Sequence, residues 1–142
     1  MIREEIQTLA REKKICVLAT VADGKPHCSL MAYVTDENCK EIDMVTHKNT
    51  TKHENLMKNP TVSLLIDTRD VSPRSKAKAL TVEGTYAAIE SEEKRKKVRA
   101  KLLTVHPHLA GFINHPKVEL LRFKIRSFLL IDGLQEAYFQ SV

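Results

Sequence analysis

The sequence has little glycine, and this limits the ways in which it could bind a phosphate group. Its 142 residues include four glycines, Gly24, Gly84, Gly111 and Gly133, which are widely separated along the chain. The dinucleotide-binding fingerprint and the Walker loop both need closely spaced glycines, because the backbone must approach the phosphate. The sequence therefore excludes both motifs, and any phosphate site must be built from other residues.

Aromatic residues are also scarce, which argues against nucleic-acid binding. They make up 5% of the chain, and tryptophan is absent, so few side chains could stack on bases. The net charge is +5, and the densest basic run, residues 94–101, follows Ser91 and two glutamates. This order is typical of a capped helix with a solvated basic face. We expect no nucleic-acid partner, although a basic helix that binds one stays open as an alternative.

Long apolar runs and paired cysteines are missing as well. No stretch reaches the roughly 18 apolar residues needed to cross a bilayer, and the charged, amphipathic start is unlike a secretory signal. We therefore expect a cytoplasmic protein without a membrane partner. The three cysteines, Cys16, Cys28 and Cys39, lack the close paired spacing of a zinc or redox site. They are predicted to be free and mostly buried thiols.

The histidines do not form a metal motif. His106 and His108 flank Pro107, His115 precedes Pro116, and no histidine pair at i, i+4 spacing accompanies a carboxylate. We predict no metal site. Cys28 and Ser29 likewise have no nucleophile motif around them, so the catalytic residues stay unassigned. The six histidines are His27, His47, His53, His106, His108 and His115.

The apolar pattern predicts a mainly β chain of the α+β class, with six to seven antiparallel strands and flanking helices. Strands joined by tight turns pair with one another, and this number in 142 residues favours a small barrel. A single domain is expected over residues 1–142. Helices are predicted at 2–13, 50–59, 91–103 and 109–113, and strands at 15–21, 26–34, 41–47, 62–67, 79–89, 118–125 and 128–131.

The segment at residues 46–52, THKNTTK, leaves a predicted strand and enters a predicted helix. Thr51 and Glu54 have the spacing of a capping box, which predicts that Thr51 opens the helix. Unpaired N–H groups at a helix start attract an anion, and the threonine hydroxyls and two lysines add donors and charge. The segment therefore indicates an anion site made without glycine. That the threonines only cap the helix and the lysines only face solvent remains the alternative.

Three stretches carry a resemblance to a known family: ICVLATVADGKPHCSLMAYV, EIDMVTHKNTTKHENLMKNPTVSLLI and LTVEGTYAAI. The middle stretch is the most specific, with a strand, a threonine-containing turn, a lysine, then Asn-Leu and Asn-Pro before an apolar strand. Together they resemble the FMN-binding split-barrel family to which pyridoxamine 5'-phosphate oxidase belongs. The resemblance implies a split β-barrel, FMN as the cofactor and a homodimer that holds FMN between its subunits.

The resemblance also implies which residues contact FMN. Thr51 stands where the true oxidase has an arginine. The positive charge that this arginine places beside the phosphate is therefore missing here or is supplied by Lys48 or Arg74. The residues implied are Cys28, Ser29, Leu30 and Met31 for the flavin ring, and Thr46, Thr50, Thr51 and Lys52, with Lys48 or Arg74, for the phosphate.

The implied function is that of an FMN-binding flavoprotein, a flavin-dependent oxidoreductase acting on an unidentified small molecule. The oxidase has a C-terminal substrate-binding region with Trp and Arg, which has no counterpart near Gln140. We therefore expect a general flavin-binding member of the family rather than the oxidase itself. A non-catalytic module of the same barrel that binds FMN, haem or another planar ligand is the alternative.

Overall fold

The structure, a computed structural model, describes residues 2–133 and 135–142. The predicted domain span of 1–142 thus includes Met1 and Leu134, which lie outside the described residues. The helices are α1 (Ile2–Glu12), α2 (Thr51–Lys58), α3 (Glu92–Val105) and α4 (Ala110–Ile113), and the strands are β1 (Ile15–Ala22), β2 (Lys25–Ala32), β3 (Val34–Thr35), β4 (Glu41–His47), β5 (Thr61–Asp67), β6 (Lys78–Ala87), β7 (Val118–Asp132) and β8 (Glu136–Ser141).

The strands form one antiparallel sheet that curls into a split barrel. Their order is β2-β1-β5-β6-β7-β4-β3, and β8 pairs with β7 beyond β4. The long strand β7 pairs with β6 along one edge, while its other edge pairs first with β4 and then with β8. This arrangement confirms the predicted fold class, a mainly β split barrel with flanking helices.

Two apolar cores hold the fold together. Inside the barrel, alternate residues of the strands are buried and pack against α1, as their period of two requires. Outside β4, a second core lies between the sheet and the helices α3 and α4, where Val45 packs with Val98, Leu102 and Ile113. In the described residues, no helix is both long and apolar enough to cross a membrane.

One predicted pair of strands is wrong, because residues 118–125 and 128–131 belong to the single 15-residue strand β7. The register between β6 and β7 shifts at Glu83/Gly84, where Arg126 is the extra residue on β7. A bulge reverses the phase of the apolar residues without ending the pairing, so the sequence pattern breaks while the strand continues. The predicted bulge or close approach at Gly84 is confirmed. The short strand β8 was not predicted.

Candidate functional site

The start of α2 gives the site its polar corner. The N-cap is Thr50, whose Oγ1 accepts a 3.3 Å hydrogen bond from the backbone N–H of His53. The prediction that Thr51 opens the helix is therefore wrong by one residue. Asn49 has a positive φ of 68° and turns the chain into this cap. Within the part of the chain that the structure describes, the first-turn N–H groups of Thr51 and Lys52 donate no hydrogen bond.

Thr46, at the end of β4, brings a second hydroxyl to this corner. It is 1% exposed, and its Oγ1 lies 3.4 Å from Oγ1 of Thr50. Its hydrogen bond to the His47 carbonyl oxygen is also long, at 3.4 Å. Hydroxyl hydrogen bonds are normally shorter than 3.0 Å, so the Thr46 hydroxyl retains capacity to bind a ligand oxygen.

A pocket of about 380 Å³ opens beside this corner. Thr46, Thr50 and Lys52 line one part of it, and residues 30–32 of β2 form a wall. A further part of the lining comes from α3, α4 and the turn between them, and it is mostly apolar: its residues are Leu102, His106, Leu109, Phe112 and Ile113. An apolar slot with a small polar end is the usual shape of a site for a planar cofactor.

The structure brings half of the predicted site residues together. Leu30, Met31, Thr46, Thr50 and Lys52 all line this pocket. The other five do not line it within one chain. Cys28 and Ser29 lie earlier on β2, Lys48 and Thr51 are exposed beside the helix start, and Arg74 lies in the exposed turn between β5 and β6.

His53 and Glu119 fasten the helix start to the sheet. Nε2 of His53 lies 2.5 Å from Oε2 of Glu119, which stands opposite Thr46 in the β4–β7 pairing. Two residues further along α2, Asn55 donates a 3.1 Å hydrogen bond to Thr20 of β1. The two contacts fix the direction in which the first-turn N–H groups point. Neither contact has a local signal in the sequence, because the partners are 66 and 35 residues apart.

Other histidines surround the pocket without forming a metal cluster. The His47 ring lies edge-on to the rings of Phe112 and His115, with centroids 5.0 Å and 5.1 Å apart. His106 is 2% exposed and binds the Tyr33 carbonyl oxygen through Nε2 at 2.8 Å. Among residues 2–133 and 135–142, no group of three or more His, Cys, Asp or Glu side chains is placed to hold a metal ion.

The cysteines are free, and two of the three are buried, as predicted. Burial raises the pKa of the Cys16 thiol to about 12 and also raises the pKa of Cys39. A thiol must ionise to act as a nucleophile, so these two are chemically inert at neutral pH.

The fold defines the class of small antiparallel split barrels, and the pocket of this one lies beside a helix start. Residues 2–132 match the family described as pyridoxamine 5'-phosphate oxidase, and the chain belongs to that family. The family resemblance inferred from the sequence is thereby confirmed. None of the curated proteins compared matches the chain.

Solved structures share the fold at low sequence identity. A heme-binding protein from Mycobacterium smegmatis superposes with a TM-score of 0.87 at 18% identity, over 99% of this chain but 58% of that one. HutZ, the heme storage protein from Vibrio cholerae, gives 0.73 at 22% identity, over 94% and 97% of the two chains. An FAD-binding protein from Mesorhizobium loti gives 0.75 at 18%, over 89% and 91%. At these identities the likeness establishes the fold alone.

Proposed function

We propose that this protein is a cytoplasmic, homodimeric flavoprotein that binds FMN in the pocket beside α2 and uses it for an oxidoreductase reaction on a small molecule. The observation that carries the proposal is the polar corner. There a buried threonine, a capping threonine, a lysine and the first-turn N–H groups of α2 meet at one end of an apolar slot.

The corner fits a phosphate group. A phosphate monoester carries about −1.5 to −2 charges at neutral pH and accepts several hydrogen bonds. The N–H groups of Thr51 and Lys52 and the positive end of the helix dipole favour an anion here. The Thr46 hydroxyl adds a donor, and the Lys52 ammonium adds a charge.

The slot beside the corner fits a flavin ring. Residues 30–32 of β2 and the apolar side chains of Leu102, Phe112 and Ile113 all line this slot. Apolar walls exclude water from both faces of a planar ring, while the exposed polar backbone of an edge strand offers partners for the ring edge. A bound flavin would supply hydride and electron transfer, and the chain would orient it and select the substrate.

The outer face of the sheet favours a homodimer. The cross-strand register aligns one residue from each of β2, β1, β5, β6, β7 and β8, and five of these six are apolar: the row is Leu30, Val17, Leu65, Thr81, Leu129 and Phe139. With neighbouring strands about 4.8 Å apart, this outer row is about 24 Å long. Its two ends, Leu30 and Phe139, are 69% and 67% exposed. Apolar stripes of this length mark association surfaces, and a second copy is the partner we propose.

The pocket adjoins this surface, because Leu30 belongs both to the outer row and to the pocket wall. A second copy on the outer row would therefore lie beside the flavin slot. The family resemblance implies Lys48 or Arg74 as a further basic group for the phosphate, and a second copy beside the slot could supply such a group.

Spectroscopy of the purified protein tests the proposal. We expect flavin absorption bands near the blue end of the visible range, and release of a molecule with the mass of FMN on denaturation. A Soret band with release of haem would contradict FMN and support a haem-binding module instead. The histidines around the pocket, His47 and His106, are the feature that keeps haem as the second candidate.

A further inference from the structure

His106 is held in one orientation at the edge of the pocket. It ends α3, where its backbone N–H donates to the Leu102 carbonyl oxygen at 2.8 Å. Its own carbonyl oxygen accepts a 3.0 Å hydrogen bond from the N–H of Leu109. Ring atom Nε2 lies 2.8 Å from the Tyr33 carbonyl oxygen. Backbone and ring are thus both fastened, so the imidazole has a fixed position.

The acceptor to which His106 is tied is itself rigid. Tyr33 is 1% exposed, its N–H donates to the Lys14 carbonyl oxygen at 3.1 Å, and its hydroxyl donates to the Ala10 carbonyl oxygen at 2.6 Å. Burial raises the pKa of the Tyr33 phenol, which keeps this hydroxyl a donor. The contact between Tyr33 and His106 therefore links the imidazole to the barrel core.

This contact also determines which ring nitrogen of the neutral imidazole carries the proton. A carbonyl oxygen only accepts, so Nε2 must donate, and Nδ1 is then left with a lone pair. Among the described residues, Nδ1 of His106 has no hydrogen-bond partner. Every side-chain nitrogen or oxygen that is fully buried in this part of the chain does have a partner. Nδ1 must therefore retain some open surface. His106 is 2% exposed and lines the pocket, so a ligand in the pocket is the partner that can reach Nδ1.

The surroundings of Nδ1 make it selective. The lining residues that α3, α4 and their connecting turn contribute around His106 are apolar: Leu102, Leu109, Phe112 and Ile113. A single fixed acceptor in an apolar wall rewards a ligand that places an N–H or O–H group against it. It penalises a ligand that leaves this acceptor, or a polar group of its own, without a partner.

We propose that His106 is a specificity-determining residue of the pocket, whose Nδ1 accepts a hydrogen bond from a ring N–H of the bound ligand. This inference rests on the proposed function, under which the ligand is FMN. The oxidised flavin ring has one N–H group, at N3, so N3–H is the donor that His106 recognises.

The test compares FMN with FMN methylated at N3, by fluorescence titration of the intact protein and two variants. In His106→Gln the amide nitrogen replaces Nε2 and keeps the Tyr33 contact, while the acceptor at Nδ1 is lost. In His106→Asn the amide group lies near the Nδ1 position, so an acceptor is retained there. Thermal unfolding of each variant shows whether the fold is kept.

The unmodified protein is expected to bind FMN about 2- to 13-fold more tightly than N3-methyl-FMN, the usual range for one neutral hydrogen bond. His106→Gln should lose a similar factor for FMN and show no further loss on methylation, whereas His106→Asn should still discriminate. A methyl group that merely clashed would weaken binding equally in all three proteins.

Equal affinity of the unmodified protein for the two ligands would overturn the proposal, whatever the variants do. Unchanged discrimination by His106→Gln would also overturn it, since another group would then accept N3–H. Both results leave FMN binding, and hence the proposed function, intact. Failure of the unmodified protein to bind FMN at all would overturn the proposed function together with this inference.

Discussion

At the scale of single residues, Lys52 supplies the charge of the proposed phosphate site. It is the second residue of α2 and lines the pocket with Thr46 and Thr50. Replacing it with alanine should weaken FMN binding by about 10- to 150-fold, which corresponds to about 1.5–3 kcal/mol for a charged hydrogen bond. Riboflavin lacks the phosphate, so its affinity should barely change. Fluorescence titration with both ligands measures the two effects.

Lys58 provides the matched control for this variant. It ends the same helix, is exposed and pairs with Asp23 at 3.2 Å. Lys58→Ala removes the same charge at the far end of α2 and should leave both affinities unchanged. Equal losses for FMN and riboflavin in Lys52→Ala would mean that Lys52 supports the fold, and no loss for either would place the phosphate elsewhere.

The polar corner was predictable because its residues are contiguous. Thr46, Thr50 and Lys52 lie within one strand-to-helix turn, so local pattern and family resemblance identify them together. The choice of Thr50 rather than Thr51 as the cap was not predictable, because adjacent threonines suit the position equally. His106 escaped prediction since its acceptor, Tyr33, is 73 residues away in sequence.

At the scale of elements, the bulge between β6 and β7 depends on Gly84. A Cβ atom there would lie 3.1 Å from the Lys124 carbonyl oxygen and 3.6 Å from Cβ of Phe123, in the middle of the paired strands. Gly84→Ala should therefore lower the free energy of unfolding by about 1–3 kcal/mol, the usual cost of overpacking. Denaturant unfolding measures this change.

Gly111→Ala is the control at this scale. Gly111 lies in α4, and a Cβ atom there meets nothing within 4 Å. Alanine favours the helix over glycine, so this variant should be neutral or more stable by up to about 1 kcal/mol. If the two variants had equal stability, the close approach at Gly84 would not constrain the sheet.

The elements themselves followed mostly from periodicity, and the two exceptions have physical causes. The sequence of β7 predicts two strands because the extra residue, Arg126, reverses the alternation of apolar side chains. The strand β8 has a mixed sequence from Glu136 to Ser141, and its pairing with β7 supplies the order that the sequence pattern lacks. The sequence signal for a turn before β8 was the glycine at Gly133, which adopts a positive φ of 64°.

At the scale of the whole molecule, the outer row predicts the oligomeric state. Phe139 is 67% exposed at one end of the row and does not line the pocket. Phe139→Asp should convert the proposed dimer to a monomer at micromolar concentration, because an interface that buries a new charge loses affinity steeply. Light scattering during size-exclusion chromatography measures the mass.

Met57→Asp serves as its control, since Met57 is 54% exposed on α2 and is absent from the outer row. This variant should stay dimeric. A monomeric unmodified protein with FMN bound would contradict the dimer, and a dimeric Phe139→Asp variant would place the interface on another face. Neither position was foreseen from sequence, because the row appears only once the strand register is known.

The central claim is that the pocket binds FMN by its phosphate, and calorimetric titration of the protein with FMN and with riboflavin tests it most directly. We predict one FMN per chain and an affinity for FMN about tenfold or more above that for riboflavin, the contribution expected of at least one charged hydrogen bond. Equal affinities for the two flavins, or no binding of FMN, would contradict the account.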